Sequence, residues 1–461
     1  MSNLDSYLSA LTCPLRQEGA SGLPGADAPG AFLASEQNPV LLPFEEDRLR
    51  ITLCAPVRRL QQKTQVFPLD VRTSSRSRLT HSLEVQVYLR HLMQLLCRKA
   101  PPLTPYAAAL TVLCENAALL HDIGNPPFGH FGECLTAKFT GKAAAERASE
   151  LSESEREDLS FFNGNAQGLR LVTTIQRLNL TLGQLSAMMK YPQTYAEKVS
   201  GRGRGGVGVF LPEAPLLLRI RRERGTEDVN PLAFIMELCD DLAYVLADLE
   251  DAFDNRVLSY ATFYAFAENL SSKLPSPFKE GLQPSALYAA FALSPSEGMQ
   301  AVRRVIATAY LEEVASHLSA HLEELLQRGE VDLSGLTAVQ VVRAFKDFER
   351  HEVYESVHVE SLELAGAAYL ESLFRHYGVL LEENARDFYR ELSGRGGSPY
   401  LRRLAHRISR RPREAYLNAL RTGVPLSELY LRVRLISDYV SGMTDTYAAH
   451  EAGILEGHAP L

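Results

Sequence analysis

The sequence predicts a mainly α-helical protein, and three observations lead to that fold class. One segment has apolar residues at helical spacing, a second is apolar over most of its length, and the second half of the chain has helical patterns with few alternating strand patterns. These observations lie in residues 79–96, 107–120 and 231–448. We therefore expect a protein built mainly from packed helices, without an internal repeat.

The first of these segments has the pattern of an amphipathic helix. Leu83, Val87, Leu92 and Leu95 or Leu96 follow one another close to the three-to-four-residue spacing that gives a helix one buried face. We expect these side chains to face the core.

The second segment is almost uniformly apolar. Residues 107–120 are interrupted mainly by Glu115 and Asn116. A helix that is apolar on most sides is buried on most sides. We expect this helix in the centre of the protein.

One large domain is expected between a flexible N-terminal segment and a C-terminal tail. Residues 19–30, GASGLPGADAPG, combine glycine, proline and small residues that cannot support a core. Residues 1–44 are therefore predicted to be a flexible N-terminal segment, residues 45–448 a single domain, and residues 449–461 a C-terminal tail.

Two insertions are predicted inside that domain. Residues 141–160 are rich in helix formers and charge but poor in large apolar groups, which indicates an exposed helix or a mobile insertion. The second insertion lies near residues 200–209, where a run of glycines restrains the backbone weakly.

Composition and charge exclude several classes of protein. The 461 residues are 46% hydrophobic and 23% charged, as in ordinary globular proteins, and long enough for a buried site. The net charge of −8 argues against generic coating of nucleic acid. The six cysteines contain no C-x-x-C pair, so neither a disulfide framework nor a cysteine zinc site is indicated. With no signal-like start or long apolar run, we expect a cytoplasmic protein without a membrane segment.

The run His-Asp-Ile-Gly-Asn-Pro-Pro-Phe-Gly-His at 121–130 carries the first sign of chemistry. Neighbouring residues on a helix point about 100° apart, so His121 and Asp122 can share a ligand only at a helix end or against a cavity. Gly124 and the two prolines after it end the helix there. Both side chains could then converge on one metal ion, although a lone His-Asp pair is more often a chance feature of the surface or core.

Two further features favour a metal site. His81 lies near the start of the amphipathic helix, where its side chain can face the interior. Asp240, Tyr244 and Asp248 stand at i, i+4 and i+8, and so share one face of an otherwise apolar helix. Buried carboxylates there would need a cation or hydrogen bonds to offset their desolvation. The alternative is that this acidic face is turned to water.

The H…HD…D pattern resembles the HD superfamily, and the surrounding segments resemble its bacterial deoxyguanosine triphosphate triphosphohydrolases. The similar segments occur in the family's order within residues 48–448. They are RLQQKTQVFP (59–68), RLTHS (78–82), HDIGNPPFGHFGE (121–133), GNAQG (164–168), KYP (190–192), DDLAYVLADLED (240–251) and DYVSGMTD (438–445). The resemblance implies an HD-domain helical core with an additional helical C-terminal region.

The resemblance also implies the reaction and the cofactor. In this family a divalent metal ion orients the α-phosphate of dGTP, and attack by water releases deoxyguanosine and intact triphosphate. The implied metal ligands are His81, His121, Asp122 and Asp240. Imidazole and carboxylate ligands suit manganese, cobalt, iron or zinc, and magnesium can serve when substrate phosphates add oxygen ligands.

The resemblance assigns roles to further residues. His130 and Glu133 are implied as the catalytic pair beside the attacking water; without the family, His130 could equally be a cap and Glu133 a carboxylate satisfying free N–H groups of an early helical turn. The implied contacts to substrate phosphates are Arg78, Asn165, Lys190 and Tyr191, with Tyr244 and Asp248 at the border of the same pocket. Gln65 and Val66 are implied to read the sugar, by hydrogen bonding near its 3′-hydroxyl and by crowding a 2′-hydroxyl.

The sequence departs from the family pattern at one phosphate contact. The family usually has a lysine two residues before a glycine and an aromatic pair, and here Gly206 stands in that position. Arg202 or Arg204 of the glycine-rich loop could replace the lysine. If so, Arg204→Ala should change the Michaelis constant or turnover. The alternative is a solvated loop that orders only on binding.

A basic segment at 402–413, with Tyr400 and Tyr416 beside it, suggests a second partner. Such a helix face could bind single-stranded DNA, which some relatives use as an effector, or could form ordinary ion pairs with an acidic neighbouring subunit. By resemblance we also expect a homo-oligomer, such as a hexamer.

Three functions compete at this point. The first is hydrolysis of dGTP, or of several deoxynucleoside triphosphates. The second is an HD phosphohydrolase that acts on another nucleotide, and the third is a nucleotide- or DNA-sensing module with a structural HD site. The GNAQ and KYP segments favour the first.

Overall fold

The computed structural model describes residues 3–17, 41–69, 75–201, 205–395 and 398–458. Over these ranges the chain is helical, with two isolated β-bridges and no strand, so the predicted mainly α fold class is confirmed. The helices of the first half are α1 (Asn3–Leu11), α2 (Leu42–Leu53), α3 (Ala55–Arg59), α4 (Arg78–Lys99), α5 (Ala107–Leu120), α6 (Gly129–Glu146), α7 (Glu153–Leu159), α8 (Gly164–Arg170), α9 (Leu182–Met188), α10 (Tyr195–Val199), α11 (Ala214–Arg224) and α12 (Pro231–Asp254). Those of the second half are α13 (Tyr260–Ser271), α14 (Phe278–Gly281), α15 (Pro284–Leu293), α16 (Pro295–Ala320), α17 (Leu322–Arg328), α18 (Thr337–Glu349), α19 (Val357–Gly378), α20 (Ala385–Leu392), α21 (Pro399–Arg407), α22 (Arg410–Thr422), α23 (Glu428–Ser441) and α24 (Asp445–Leu455).

The main core lies where α4, α5 and α12 pack against one another. Leu89 of α4, Leu113 of α5 and Leu242 of α12 are fully buried in it. A capping box at Ser77, whose side chain accepts from the Thr80 N–H while the Thr80 hydroxyl accepts from the Ser77 N–H, fixes the start of α4. The packing of α4, α5 and α12 brings the polar residues of these three helices close to one another.

The helix at 79–96 forms as predicted, but two of the expected core residues are exposed. Leu83 and Val87 are 45% and 66% exposed. The buried face is formed instead by residues such as Val85, Leu89 and Met93. The periodicity identified the helix, while the packing of neighbouring helices decided which of two apolar stripes is covered.

Helix α5 is the central helix that the sequence predicted. The stretch Pro101–Leu120 is long and apolar enough to span a membrane by length and composition alone, and 67% of its window is buried inside the protein. Its packing against α2, α4, α9 and α12 accounts for its apolar surface.

The C-terminal helices form a second core around α6, α19, α23 and α24. Leu370 and Leu373 of α19 and Val433 and Ile436 of α23 lie within it at 1% exposure or less. This is the additional helical region, and it packs directly on the helix that follows the His-Asp run.

The N-terminal segment differs from the predicted flexible one over its first part. Helix α1 buries Leu8 and Leu11 against α9, α11 and α17. Arg16 then forms ion pairs with Glu46 and the buried Asp47. Apolar side chains at helical spacing therefore tie this segment to the body, and residues 18–40 lie outside the described range.

The insertion at 141–160 and the tail also differ from expectation. Helix α7 packs through Leu159, which is fully buried, and the preceding Leu151 is 5% exposed. Helix α24 continues to Leu455 and buries Ala452, beyond the predicted boundary at 448. In both segments a few apolar residues pack against the body of the protein.

A buried arginine ties α7 to α23. The Arg434 guanidinium pairs with the Asp158 carboxylate, donates to the Asp158 carbonyl oxygen at 2.7 Å and lies 3.8 Å from the Phe210 ring centroid. Asp158 and Arg434 are 3% and 0% exposed. Removing one partner of a buried pair leaves the other charge uncompensated.

Arg434→Ala is therefore expected to lower the free energy of unfolding by about 3–5 kcal/mol. Urea unfolding followed by circular dichroism measures this change. The control is Arg328→Ala, because that side chain is 74% exposed and its pair with Glu324 should contribute little. Equal unfolding midpoints for the two variants would contradict the prediction.

Candidate metal centre and active site

Four side chains from three helices meet in one cluster. His81 comes from the first turn of α4, His121 and Asp122 follow α5, and Asp240 lies in the middle of α12. The Nε2 atom of His81 is 2.9 Å from an Asp240 oxygen, and the Nε2 atom of His121 is 3.5 Å and 3.6 Å from oxygens of Asp240 and Asp122. Ligand atoms of His81, His121 and Asp122 lie within 4.8 Å of one another. The cluster thus brings two imidazoles and two carboxylates together.

The turn after α5 approaches its neighbour too closely for any side chain at Gly124. A Cβ there would lie 2.1 Å from the Gly168 nitrogen and 2.2 Å from the Gly164 oxygen. Phe128, with φ of 62°, and Gly129, with φ of 59°, then reverse the chain into α6. The turn therefore sets α8 and the start of α6 against the cluster.

The cluster has the chemistry of a transition-metal site. The Nδ1 atom of His121 is 2.7 Å from the Ala118 carbonyl oxygen, which accepts from it and leaves Nε2 as a lone-pair donor. That Nε2 atom is buried without a hydrogen-bond partner among the described residues. Two imidazoles with two carboxylates suit manganese, iron, cobalt or zinc. The residues present therefore fit a divalent ion.

Electrostatics keep both carboxylates ionised. Burial alone would raise the pKa of Asp122, but Arg78 and the two histidines outweigh burial and hold that pKa well below its ordinary value. Burial likewise opposes ionisation of Asp240, but the neighbouring His121 and the hydrogen bond to His81 together lower its pKa. Ionised carboxylates are the form that binds a cation.

His130 and Glu133 form a pair beside the cluster. The Nδ1 atom of His130 is 3.0 Å from one Glu133 oxygen, and the other oxygen accepts from the Gly164 N–H at 2.5 Å. The hydrogen bond to Glu133 raises the pKa of His130. The His130 side chain is 90% exposed, so it can meet water and substrate. Glu133 thus orients an accessible imidazole.

Three positively charged or polar residues predicted to contact phosphate surround the same region. Arg78 donates to Asp122 at 2.5 Å, while its Nε atom is buried without a hydrogen-bond partner among the described residues. Lys190 pairs with Glu237 at 2.7 Å, one turn before Asp240 on α12. Asn165 is held at the start of α8 by the Asn163 side chain.

Tyr191 lies beneath the loop that lacks the family's lysine. A Cβ at Gly206 would meet the Tyr191 ring at 2.7 Å, and one at Gly205 would meet it at 2.8 Å. Gln193 binds the Gly206 carbonyl oxygen and accepts from the Gly208 N–H at 3.2 Å. The close approach of this loop to the ring explains why Gly206 carries no side chain. Arg202 and Arg204, the predicted substitutes, lie outside the described residues.

Behind the cluster, Tyr244 and Asp248 face a second acidic residue. The Tyr244 ring lies edge-on to His81 at 6.4 Å, and Tyr354 donates to the Asp248 carboxylate. Burial raises the pKa of Asp248 to about 7. Glu349 is fully buried with neither carboxylate oxygen hydrogen-bonded among the described residues, and burial and Asp248 raise its pKa. The acidic face of α12 is therefore turned inward rather than toward water.

Gln65 and Val66 are fixed to the start of α4. The Arg78 N–H donates to the Lys63 carbonyl oxygen at 2.8 Å, just before this pair. Gln65 has its side-chain oxygen buried without a hydrogen-bond partner among the described residues, and Val66 is 9% exposed. An unsatisfied buried amide oxygen is available to a hydroxyl donor.

Comparisons with known proteins identify the family of the chain. The HD domain family matches residues 78–244, a range that begins at Arg78 and ends at Tyr244. The chain is 34% identical to a deoxyguanosinetriphosphate triphosphohydrolase of Serratia proteamaculans, with 91% of this chain and 94% of that protein aligned. It is 33% identical to a probable deoxyguanosinetriphosphate triphosphohydrolase of Pseudomonas aeruginosa and to one of Klebsiella pneumoniae, each over 89% of this chain and 92% and 93% of the relatives. The chain belongs to the deoxyguanosinetriphosphate triphosphohydrolase family.

The chain is thus an enzyme of this family with a metal-dependent HD phosphohydrolase domain. The resemblance stated from the short segments is confirmed, because the similarity covers about nine-tenths of the chain. The cluster of His81, His121, Asp122 and Asp240 and the His130–Glu133 pair lie within the matched range.

The sequence analysis missed several residues that hold the candidate site together. Lys63 is buried and donates to the carbonyl oxygens of Asn125 and, at 2.9 Å, Ser441, while Asn125 donates to Asp122 at 2.5 Å. Asp445 accepts from the Phe128 N–H at 3.1 Å. Lys63, Asn125, Ser441 and Asp445 stand inside the quoted segments and could have been found there. Glu349 and Tyr354 belong to none of these segments, so no motif in the sequence points to them.

Proposed function

We propose that this protein hydrolyses dGTP to deoxyguanosine and inorganic triphosphate. The observation that carries the proposal is the convergence of His81, His121, Asp122 and Asp240 beside an accessible His130–Glu133 pair. The relatives named above are deoxyguanosinetriphosphate triphosphohydrolases, which supports the same substrate.

The four clustered residues are proposed as ligands of one divalent metal ion, with manganese or magnesium as the leading candidates. Such an ion supplies Lewis-acid polarisation of a phosphate oxygen. Arg78 is proposed to hold the Asp122 carboxylate in place, and its unpartnered Nε atom is available to a phosphate oxygen.

The His130–Glu133 pair is proposed to manage the proton of the attacking water. An imidazole with a carboxylate on its Nδ1 atom exposes Nε2 for proton transfer, while Glu133 stabilises the charged ring. The anchor from Gly164 fixes the carboxylate, so the ring keeps one orientation.

Arg78, Lys190, Tyr191 and Asn165 are proposed to bind the triphosphate. Lys190 would exchange its Glu237 partner for phosphate oxygens, or share the two. Tyr244, edge-on to His81, is proposed to form part of the wall of the phosphate pocket.

Gln65, Val66 and Asp248 are proposed to surround the sugar. The resemblance placed Asp248 at the border of the phosphate pocket, but two neighbouring buried carboxyl groups offer a phosphate no positive charge. The Asp248 carboxyl group lies near Glu349 and accepts from the Tyr354 hydroxyl, so it is better suited to accept from a sugar hydroxyl.

Gly206→Ala tests the phosphate pocket. The added Cβ would overlap the Tyr191 ring and displace it, and overpacking of this kind costs about 1–3 kcal/mol. We therefore expect the KM for dGTP to rise about fivefold or more. Steady-state kinetics measure it. The control is Gly335→Ala, because nothing lies within 4 Å of a Cβ there. An unchanged KM in the Gly206 variant would show that Tyr191 does not line the phosphate pocket.

Product identification separates the competing functions. The purified protein is incubated with Mn²⁺ or Mg²⁺ and each deoxy- or ribonucleoside triphosphate, and the products are separated by ion-exchange chromatography. We expect dGTP to give triphosphate and deoxyguanosine in equimolar amounts. Release of phosphate or pyrophosphate instead of triphosphate would contradict the mechanism. Equal rates with all four dNTPs would indicate the broad-specificity alternative. The absence of turnover with every nucleotide would favour the sensing module.

Location and assembly are also proposed. We infer a cytoplasmic homo-oligomer, such as a hexamer, in which the exposed Leu83 and Val87 are natural candidates for an interface. A single-stranded DNA effector would have to bind the basic segment at 402–413, in which Arg407 already pairs with Glu451 of the same chain. Light scattering and salt-dependent oligonucleotide binding test these two proposals.

A further inference from the structure

Asp445, the first residue of α24, is a buried carboxylate that joins two segments of the candidate site. It is 2% exposed. One of its oxygens accepts from the Phe128 N–H at 3.1 Å. The other accepts from the Thr64 N–H at 2.9 Å and from the Thr64 hydroxyl. Each oxygen of one carboxylate therefore holds a different segment.

Both partners of this carboxylate stand next to residues with a proposed role in the reaction. Thr64 directly precedes the sugar-facing segment, Gln65–Val66. Phe128 lies two residues before His130, which is proposed to transfer the proton of the attacking water. The two oxygens of a carboxylate have a fixed separation, so their hydrogen bonds set the distance between the sugar-facing segment and the start of α6.

The Phe128 end of this link is a strained turn. Phe128 has a φ of 62° and Gly129 a φ of 59°, which places both residues in the left-handed region. A residue with a side chain adopts this conformation at a cost in free energy and keeps it only where its surroundings fix it. The Phe128 ring packs on Gly366 of α19, where a Cβ would lie 2.6 Å from the ring. Because Asp445 holds the Phe128 N–H, the direction in which α6 leaves the turn depends on two helices of the C-terminal core.

The Thr64 end of the link is held to the same junction by the preceding residue. Lys63 is 3% exposed and donates to the carbonyl oxygens of Asn125 and, at 2.9 Å, of Ser441. Ser441 is the last residue of α23, four residues before Asp445. The segment at 63–64 therefore contacts the junction of α23 and α24 at two points.

We infer that Asp445 is a positioning residue, which fixes the sugar-facing segment relative to the His130–Glu133 pair. The inference rests on the proposed function, because it takes the roles of these residues from it. Asp445 is not one of the four residues of the metal cluster, and it acts through Thr64 and Phe128. Its loss should therefore weaken selection against a 2′-hydroxyl and slow turnover without removing the metal.

Asp445→Asn tests this role. Asparagine has one carbonyl oxygen, and its NH2 group cannot accept from an N–H, so one of the two segments loses its partner. We expect kcat with dGTP to fall about tenfold or more, because a small displacement of a catalytic group slows a reaction steeply. The ratio of kcat/KM for dGTP to that for GTP should fall about threefold or more, with an unchanged metal content. Steady-state kinetics and elemental analysis of bound manganese after dialysis measure these quantities.

Thr64→Val separates the two ends of the link. Valine keeps the shape of threonine and its N–H but lacks the hydroxyl, so only the sugar-facing end is weakened. The preference for dGTP over GTP should fall about threefold or more, while kcat with dGTP changes by less than about twofold. Thr64→Ser retains the hydroxyl and should keep the preference of the unmodified protein.

Asp47 provides a matched control. It is fully buried on α2 and accepts from the Thr181 N–H at 2.9 Å and from the Thr181 hydroxyl at 2.7 Å, as Asp445 does from Thr64. Neither Asp47 nor Thr181 adjoins a residue with a proposed role in the reaction. Asp47→Asn and Thr181→Val should therefore lower the melting temperature without changing kcat or the sugar preference.

Three results would overturn the inference. A folded Asp445→Asn variant with unchanged kcat and sugar preference would leave Asp445 with a structural role only. Loss of bound manganese from that variant would show that it acts through the metal cluster. If Asp445→Asn does not fold, an unchanged preference in Thr64→Val overturns the inference. The unmodified protein alone tests the proposed function, and without dGTP turnover the same comparison is made with the dissociation constants of dGTP and GTP.

Discussion

Asp240→Ala is expected to abolish both metal binding and turnover. The carboxylate lies against the Nε2 atoms of His81 and His121, 2.9 Å and 3.5 Å away, so its loss opens one side of the proposed site. Loss of a Lewis acid removes several kcal/mol of transition-state stabilisation, so kcat/KM should fall by about 10³-fold or more. Bound manganese is measured by elemental analysis after dialysis, and turnover by release of deoxyguanosine.

Asp241→Ala is the matched control for that experiment. Asp241 is the next residue of α12, but its carboxylate pairs with Lys346 and is 40% exposed. It should therefore keep its metal and its activity. Thermal melting of both variants shows whether they fold, and a metal-induced rise in melting temperature should be lost only in the Asp240 variant. Full activity of Asp240→Ala would show that Asp240 is not the fourth ligand.

His130→Ala is expected to lose turnover while keeping the metal. The imidazole is exposed and lies beside the cluster without taking part in it. Removing a general acid or base typically costs about 10²–10⁴-fold in rate. Metal content should match that of the unmodified protein, which separates this role from that of Asp240. His91→Ala, which removes an exposed histidine of α4, is the control and should retain its activity.

Glu133→Gln adds a pH-dependent test of the same pair. The hydrogen bond to the Glu133 carboxylate raises the pKa of His130, because it stabilises the charged ring. Glutamine can still accept from the Gly164 N–H but carries no charge. The pKa of the His130 limb in the rate profile should therefore move to lower pH, and kcat should fall less than in His130→Ala. If the limb does not move, it reports the ionisation of a group other than His130.

The buried acidic pair behind the cluster shows a limit of sequence reasoning. The i, i+4, i+8 spacing placed Asp240, Tyr244 and Asp248 on one face but left open whether that face met water. The structure turns it inward, with Glu349 and Tyr354 arriving from α18 and the turn after it. Those two residues are 101 and 106 positions from Asp248 along the chain, and no local pattern connects them.

The His-Asp turn shows what local sequence can establish. Gly124 and the two prolines predicted the end of a helix, and α5 ends at Leu120. The residues of the predicted ligand set do meet, although their roles stay predictions. In contrast, Lys63 donates a hydrogen bond to the carbonyl oxygen of Ser441, 378 positions away. This contact follows only from the folded chain.

The sequence by itself determined the helices, the family and the residues brought to the cluster, because helical periodicity, helix-ending residues and short segments are local properties. Only the tertiary structure decided which stripe of α4 is buried, that residues 3–11 and 153–159 pack rather than move, and that Asp445 accepts from both Thr64 and Phe128. Burial depends on which helices lie against each other, and such a link depends on three segments far apart in the chain. Neither property is contained in the spacing of residues along one segment.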